Sequence, residues 1–147
     1  MNDKPLKFLL VEDDDIHAHL VARCLEKSSV AARVYRVASG DDALSFLRRQ
    51  GPFAHHPRPD VVLLDLKLPK LDGHQVLAAI KEDNDLRMIP VVVMTTSRDD
   101  ADREKAYRQH ANSYVVKPAD FAKFREMVTE ISYYWGVCNE PPILVDS

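Results

Sequence analysis

Short, mostly apolar runs in this chain each end on residues able to do chemistry. Residues 7–11 are followed by Glu12, Asp13 and Asp14, residues 61–64 by Asp65, residues 91–94 by Thr95 and Thr96, and residues 113–116 by Lys117. If the runs are parallel strands, their carboxyl ends share one rim of a sheet, where open α/β sheets bind ligands. Carboxylates, hydroxyls and an ammonium then converge. Carboxylates crowded within a few ångströms repel, and a raised pKa or a bound cation relieves them. Oxygen donors without Cys or His favour a hard ion, and Mg2+ is held by one or two carboxylates while keeping positions for water and phosphate. Such an ion would screen an anionic phosphoryl donor approaching a carboxylate nucleophile. Asp65 is the natural nucleophile, because it follows a strand and precedes a loop, whereas the acids after the first run form a set suited to holding the ion.

The runs lack alternation and lie between amphipathic stretches, the pattern of strands buried on both faces by crossover helices. Strands are predicted at 7–11, 32–37, 61–64, 91–94 and 113–116. Between them, helical spacing places Ile16, Leu20, Val21, Cys24 and Leu25 on a helix over 15–27, and Ala43, Leu44 and Leu47 on a second that Ser39 caps and that ends near Arg49. Asp14 or Asp15 is expected to cap the first helix. A third helix carries Val76, Leu77 and Ile80. A fourth, over 99–110, has only Ala101, Ala106 and Tyr107 to bury, which makes it weakly packed and a candidate mover. Phe121, Phe124, Val128 and Ile131 mark a fifth. Five βα units with right-handed crossovers give a doubly wound α/β sheet with helices on both faces. The loop 50–60 exceeds the ~2 to 6 residues usual for its connection, and no helix is expected beyond the first turn of 133–147, where Pro141 and Pro142 forbid one.

At 147 residues the chain fits one domain and not a receptor with separate sensor and output modules. Its 20 basic and 23 acidic residues leave a net charge of −3, so no nucleic-acid footprint is expected. The apolar runs fall far short of the roughly 20 residues of a membrane span, and Met1-Asn2-Asp3-Lys4 begins no apolar signal. A cytoplasmic protein with no membrane or nucleic-acid partner is expected. Cys24 and Cys138 fit unpaired thiols, Cys24 in the core, since their separation makes neither a disulfide framework nor a zinc spacing.

With VEDD at 11–14, DVVLLDLKLPKLDG at 60–73, PVVVMTT at 90–96 and SYVVKP at 113–118, the chain resembles a bacterial two-component response regulator of the stand-alone, CheY-like receiver type, over about 7–132. The resemblance implies a flavodoxin-like five-stranded parallel sheet of order 2-1-3-4-5, a receiver at 1–132 and a C-terminal extension at 133–147 without a separate effector domain. It implies that Asp65 is the phosphoacceptor for a sensor histidine kinase and that the protein catalyses only its own phosphorylation and dephosphorylation. Asp13, Asp65 and the backbone carbonyl of Lys67 would hold Mg2+, or Mn2+, with Glu12 acting through water. Lys117 and Thr95 would contact phosphoryl oxygens, Tyr114 would turn inward as Thr95 moves, and Lys67, Thr96 and Ser97 would govern access and lifetime. Lys117-Pro118 would be cis. The switch would reshape the face of the fourth helix, fifth strand and fifth helix.

The loop 50–60 and the aromatic tail further resemble receivers paired with phytochrome-type kinases, which implies a bacteriophytochrome as kinase and a homodimer through that face, with Phe124, Tyr133, Tyr134 and Trp135 as its interface residues. A phosphorelay intermediate is an alternative within the family. An aspartyl-nucleophile Mg2+-dependent phosphohydrolase would use the same groups, but it carries the nucleophile, a second acid and a Thr after the first strand. Here that Thr is missing. A flavin carrier of this fold needs a Ser/Thr/Gly-rich phosphate loop where this chain has acids. His17, His19, His55 and His56 read as solvated or loop residues, and His74 has no phosphotransfer context.

Overall fold

The computed structural model describes residues 4–143. Five parallel strands, β1 (Leu6–Val11), β2 (Ala32–Val37), β3 (Val61–Leu64), β4 (Val91–Thr95) and β5 (Ser113–Val116), form one sheet of order β2-β1-β3-β4-β5. They alternate with α1 (Asp15–Glu26), α2 (Gly40–Leu47), α3 (Gly73–Glu82), α4 (Asp100–Arg108) and α5 (Phe121–Tyr133). This is the doubly wound α/β architecture, and the strand order is the expected one.

The strands read as unbroken apolar runs because alternate residues enter two different cores. Leu9, Val11, Val62, Leu64, Val91 and Val93 pack under α2 and α3. Phe8, Leu10, Val61, Leu63, Val92 and Met94 pack under α1 and α5. Register then carries the chemistry to one rim. Val11 pairs with Leu64, and beyond them the Asp65 amide donates to the Val11 carbonyl at 3.1 Å. Thr95 pairs with Val116, and the Lys117 amide donates to the Thr95 carbonyl at 2.7 Å.

Side-chain caps set the helix starts. Asp14 accepts from the amides of Ile16 and His17, Ser39 from Asp42, and Asp99 from Ala101. Asp72 forms a reciprocal capping box with Gln75. Gly73 follows Asp72 because a Cβ there would lie 2.3 Å from the Asp65 carbonyl oxygen.

Three expectations need correction. Ile16 is not in the core but 78% exposed, because α1 buries the stripe Ala18, Val21 and Leu25, leaving Leu20 and Cys24 only half-buried. Helical form extends past the first turn of the tail. It continues through a wider π-type turn, Tyr134–Cys138, closed by the Asn139 amide donating to the Tyr134 carbonyl at 2.7 Å, and Gly136 fits close against Val30. Lys117-Pro118 is trans, since no described peptide is cis. The two X-Pro isomers differ by only about 0.5–1 kcal/mol, too little for sequence to decide.

The loop after α2 is ordered by an aromatic cluster. His56 packs against Tyr35, Phe46 and Phe53 at centroid distances of 5.0–5.7 Å, while His55 is exposed. α4 is weakly packed, as its composition predicts, but of the three expected positions it buries only Ala106, leaving Ala101 and Tyr107 exposed.

Candidate phosphoacceptor site

Glu12, Asp13 and Asp65 lie at the carboxyl ends of β1 and β3, and one carboxylate oxygen of each lies within 4.8 Å of the others. Glu12 is 2% exposed and Asp65 9%, while Asp13 opens to solvent. Lys117 reaches in from the end of β5. Its Nζ donates to Glu12 Oε1 and, at 3.2 Å, to Asp65 Oδ2. Asp65 Oδ1 accepts from the Lys67 amide at 3.1 Å, so the loop after β3 fixes the carboxylate plane.

Burial pushes the Glu12 carboxyl up to about 7, against the opposing pull of its Lys117 hydrogen bond, and the charge of Asp65 pushes it the same way. A hard divalent cation would relieve this crowding, and an all-carboxylate donor set with one exposed member leaves it an entry path. The residues therefore fit the ion.

Thr95 is fully buried, and its Oγ1 accepts from the Ser97 amide at 3.2 Å. Thr96 faces solvent, as does the Lys67 side chain. Tyr114 is half-buried against the α2/α3 core, and its hydroxyl donates to the Ser97 carbonyl at 3.1 Å. Ser97 donates through Oγ to Asp102 Oδ2 at 2.7 Å. Asp102 is held below the usual carboxylate range, chiefly by that bond and then by His74.

The four named interface residues separate. Tyr133 and Tyr134 are 54% and 50% exposed, and Trp135 is half-buried with its ring edge-on to Tyr134. Phe124 is buried in the α1/α5 core, on the inward stripe of α5 with Val128 and Ile131, and so offers little surface to a partner.

Sequence reasoning missed two histidines. His17 Nδ1 lies 3.3 Å from Lys117 Nζ and 4.0 Å from Glu12. It is the third residue of α1, and helical side chains lean toward the N-terminus, so the cap at Asp14 was the available signal. His74 is buried between Gln109 and Asp102, at 3.3 and 3.2 Å, with no local pattern to reveal it.

No described helix is long and apolar enough to cross a membrane. A family model described as the response regulator receiver domain matches residues 8–129. The probable methanogenesis regulatory protein FilR2 of Methanothrix harundinacea is 45% identical over 95% of this chain and 90% of its own length. Response regulator Rcp1 of Synechocystis sp. is 40% identical over 91% of each chain. Its Mn2+-bound crystal structure superposes with a TM-score of 0.89, at 39% identity, over 95% of this chain and 100% of that one. The phosphorylated cyanobacterial phytochrome response regulator RcpA gives 0.91, at 38% identity and the same coverage. With the acidic cluster and its lysine at the strand ends, these matches establish that the chain belongs to the response regulator receiver family.

Proposed function

We propose that this protein is a phosphorylation switch, in which Asp65 takes a phosphoryl group from a sensor histidine kinase in a Mg2+-dependent reaction. The observation that carries it is the convergence of Glu12, Asp13 and Asp65 on one rim with Lys117 hydrogen-bonded into the cluster. A carboxylate oxygen of Asp65 attacks phosphorus, and the bond from phosphorus to the donor imidazole nitrogen breaks with its electron pair left on nitrogen. Mg2+, or Mn2+ in its place, would be held by Asp13, Asp65 and the main-chain carbonyl of Lys67, with Glu12 through water, and would supply positive charge to the phosphoryl oxygens. The Mn2+ bound by Rcp1 supports a divalent ion here.

Phosphorylation adds close to two negative charges. Lys117 and Thr95 turn toward them, and Tyr114 follows into the space behind Thr95. Driving a population from 1:99 to 99:1 takes roughly 5.5 kcal/mol, and two charge-assisted contacts at about 1.5–3 kcal/mol each supply most of it. Thr96 and the Lys67 side chain border the acceptor from solvent and, with Ser97, set access and lifetime. The receiver spans 1–132, the extension 133–147 serves the output face, and the protein works in the cytoplasm.

The kinase is of phytochrome type, as the names of RcpA and its relatives suggest, and the output is a homodimer through the α4-β5-α5 face. Half-exposed β5 is one of the two sheet edges, and Tyr134 and Trp135 border a groove of about 630 Å3 beside it.

Labelling by a small phosphodonor in Mg2+ tests the acceptor: wild type takes label and Asp65→Asn takes none, and label on the variant overturns the reading. Transfer from a panel of histidine kinases tests the partner, with preference for a light-regulated kinase expected and preference for any other removing it. Sedimentation tests the dimer, which a monomer at high concentration with and without a phosphoryl mimic would exclude.

A further inference from the structure

We propose that His17 is a positioning residue for Lys117. The inference rests on the phosphoacceptor reading of Asp65. An ammonium has three donors and no acceptor, and the side chain of Lys117 is only 3% exposed. Three acceptors surround it: Glu12 Oε1, Asp65 Oδ2 at 3.2 Å and His17 Nδ1 at 3.3 Å. Every donor of this buried cation is matched, and among the described residues His17 supplies the one partner that is not a carboxylate.

A ring nitrogen in place of a third carboxylate distinguishes its role. When Asp65 Oδ2 gives way to a phosphoryl oxygen, Lys117 must exchange one anionic contact for another while staying at the rim. A lysine held by carboxylates alone would be retained on Glu12 or pulled wholly to the phosphoryl group. The ring nitrogen holds the ammonium from a third side and competes for it less strongly than a carboxylate does. To accept at Nδ1 the ring carries its proton on Nε2. The ring is braced against Phe124 at a centroid distance of 6.5 Å, and it walls a cleft of about 390 Å3 with Thr96, Arg98, Lys117 and Phe121. Its place on the first turn of α1, capped by Asp14 through the His17 amide at 3.0 Å, fixes the distance from the helix to the lysine.

The near-isosteric pair His17→Asn and His17→Leu separates the acceptor from the bulk, because the Asn amide oxygen can stand where His carries Nδ1. Rates of phosphorylation by acetyl phosphate at saturating Mg2+ should fall on the order of tenfold in His17→Leu, the fold-change of one lost charge-assisted contact, and recover in His17→Asn. The Lys117 Nζ resonance, followed by nitrogen-15 NMR, should move in the Leu variant and return toward wild type in the Asn variant. Thermal melts report folding of both variants independently. Equal rates and an unmoved Nζ resonance in His17→Leu would overturn the proposal, as would equal slowing in both variants. Asp65→Asn is the parallel control. Label on it condemns the phosphoacceptor reading itself, whereas an unlabelled Asp65→Asn beside a fully active His17→Leu condemns only the role of His17.

Discussion

Tyr114 on β5 and Ser97 on the loop entering α4 are joined by one hydrogen bond, from the phenol to the main-chain carbonyl at 3.1 Å. α4 buries only Ala106, so this bond at its entrance adds to a small apolar contact between helix and sheet. Tyr114→Phe keeps the ring and removes the donor. It should cost about 0.5–1.5 kcal/mol in denaturant unfolding and raise hydrogen exchange selectively in α4. Unchanged α4 exchange would show that the helix is held elsewhere.

The second tie on α4 runs through Asp102, which accepts from Ser97 Oγ at 2.7 Å and meets His74 of α3 at 3.2 Å. Both neighbours hold its carboxyl below the ordinary 3.8, so its stabilisation is full above that value and lost as pH falls through its folded value. Half-exposed Asp102 is screened by solvent, so Asp102→Asn should cost a few tenths to about 1 kcal/mol near neutral pH. The gap between variant and wild type should close in acid. A gap that persists at about pH 2 would assign the loss to geometry and not charge.

Much of this was legible in the residues themselves, for identifiable reasons. A strand buried on both faces has no polar positions, so β1, β3 and β4 stand out as apolar runs whose ends mark the rim. Glu12, Asp65, Thr95 and Lys117 inherit their place from that register. The stripe that α1 buries was legible in Val21 and Leu25 but not in full, because 16-20-24 and 18-21-25 are adjacent on a helix and only the packed sheet chooses between them. Nor was the turn at Tyr134–Cys138, where tertiary packing of Trp135 and Gly136 overrides weak local signals. His17 and His74 depend on partners about a hundred and about thirty positions away, beyond any local periodicity.

Gly73 tests how rigidly the loop after β3 holds the acceptor. A Cβ would stand 2.3 Å from the Asp65 carbonyl oxygen and 2.4 Å from Leu66 Cα, both backbone atoms that cannot rotate away. The Gly73 amide also donates to the Leu66 carbonyl at 2.9 Å. Gly73→Ala should cost about 1–3 kcal/mol, the usual range for an overpacked interior, and slow phosphorylation of Asp65 by displacing its backbone. Wild-type melting and labelling would mean that the loop absorbs a methyl group freely.

Glu12 couples the pH dependence of stability to the metal. Burial raises its carboxyl from 4.5 to about 7, so between those values the folded chain binds more protons than the unfolded one. Its contribution is therefore complete below about pH 4.5 and is lost as pH rises through about 7. Asp14, Asp83 and Asp102 act in the opposite sense, losing stabilisation in acid below 3.8, so the two windows do not overlap. Without metal, Glu12→Gln should flatten the fall in unfolding free energy from about pH 5 to about pH 7.5. A dication near the carboxyl favours its charged form and expels the proton. Mg2+ titrated into wild type near pH 6 should then release protons, seen as heats that differ between buffers of different ionisation enthalpy, and should release fewer in Glu12→Gln. Buffer-independent heats in wild type would mean that Glu12 is already ionised before the metal arrives, with Lys117 outweighing its burial.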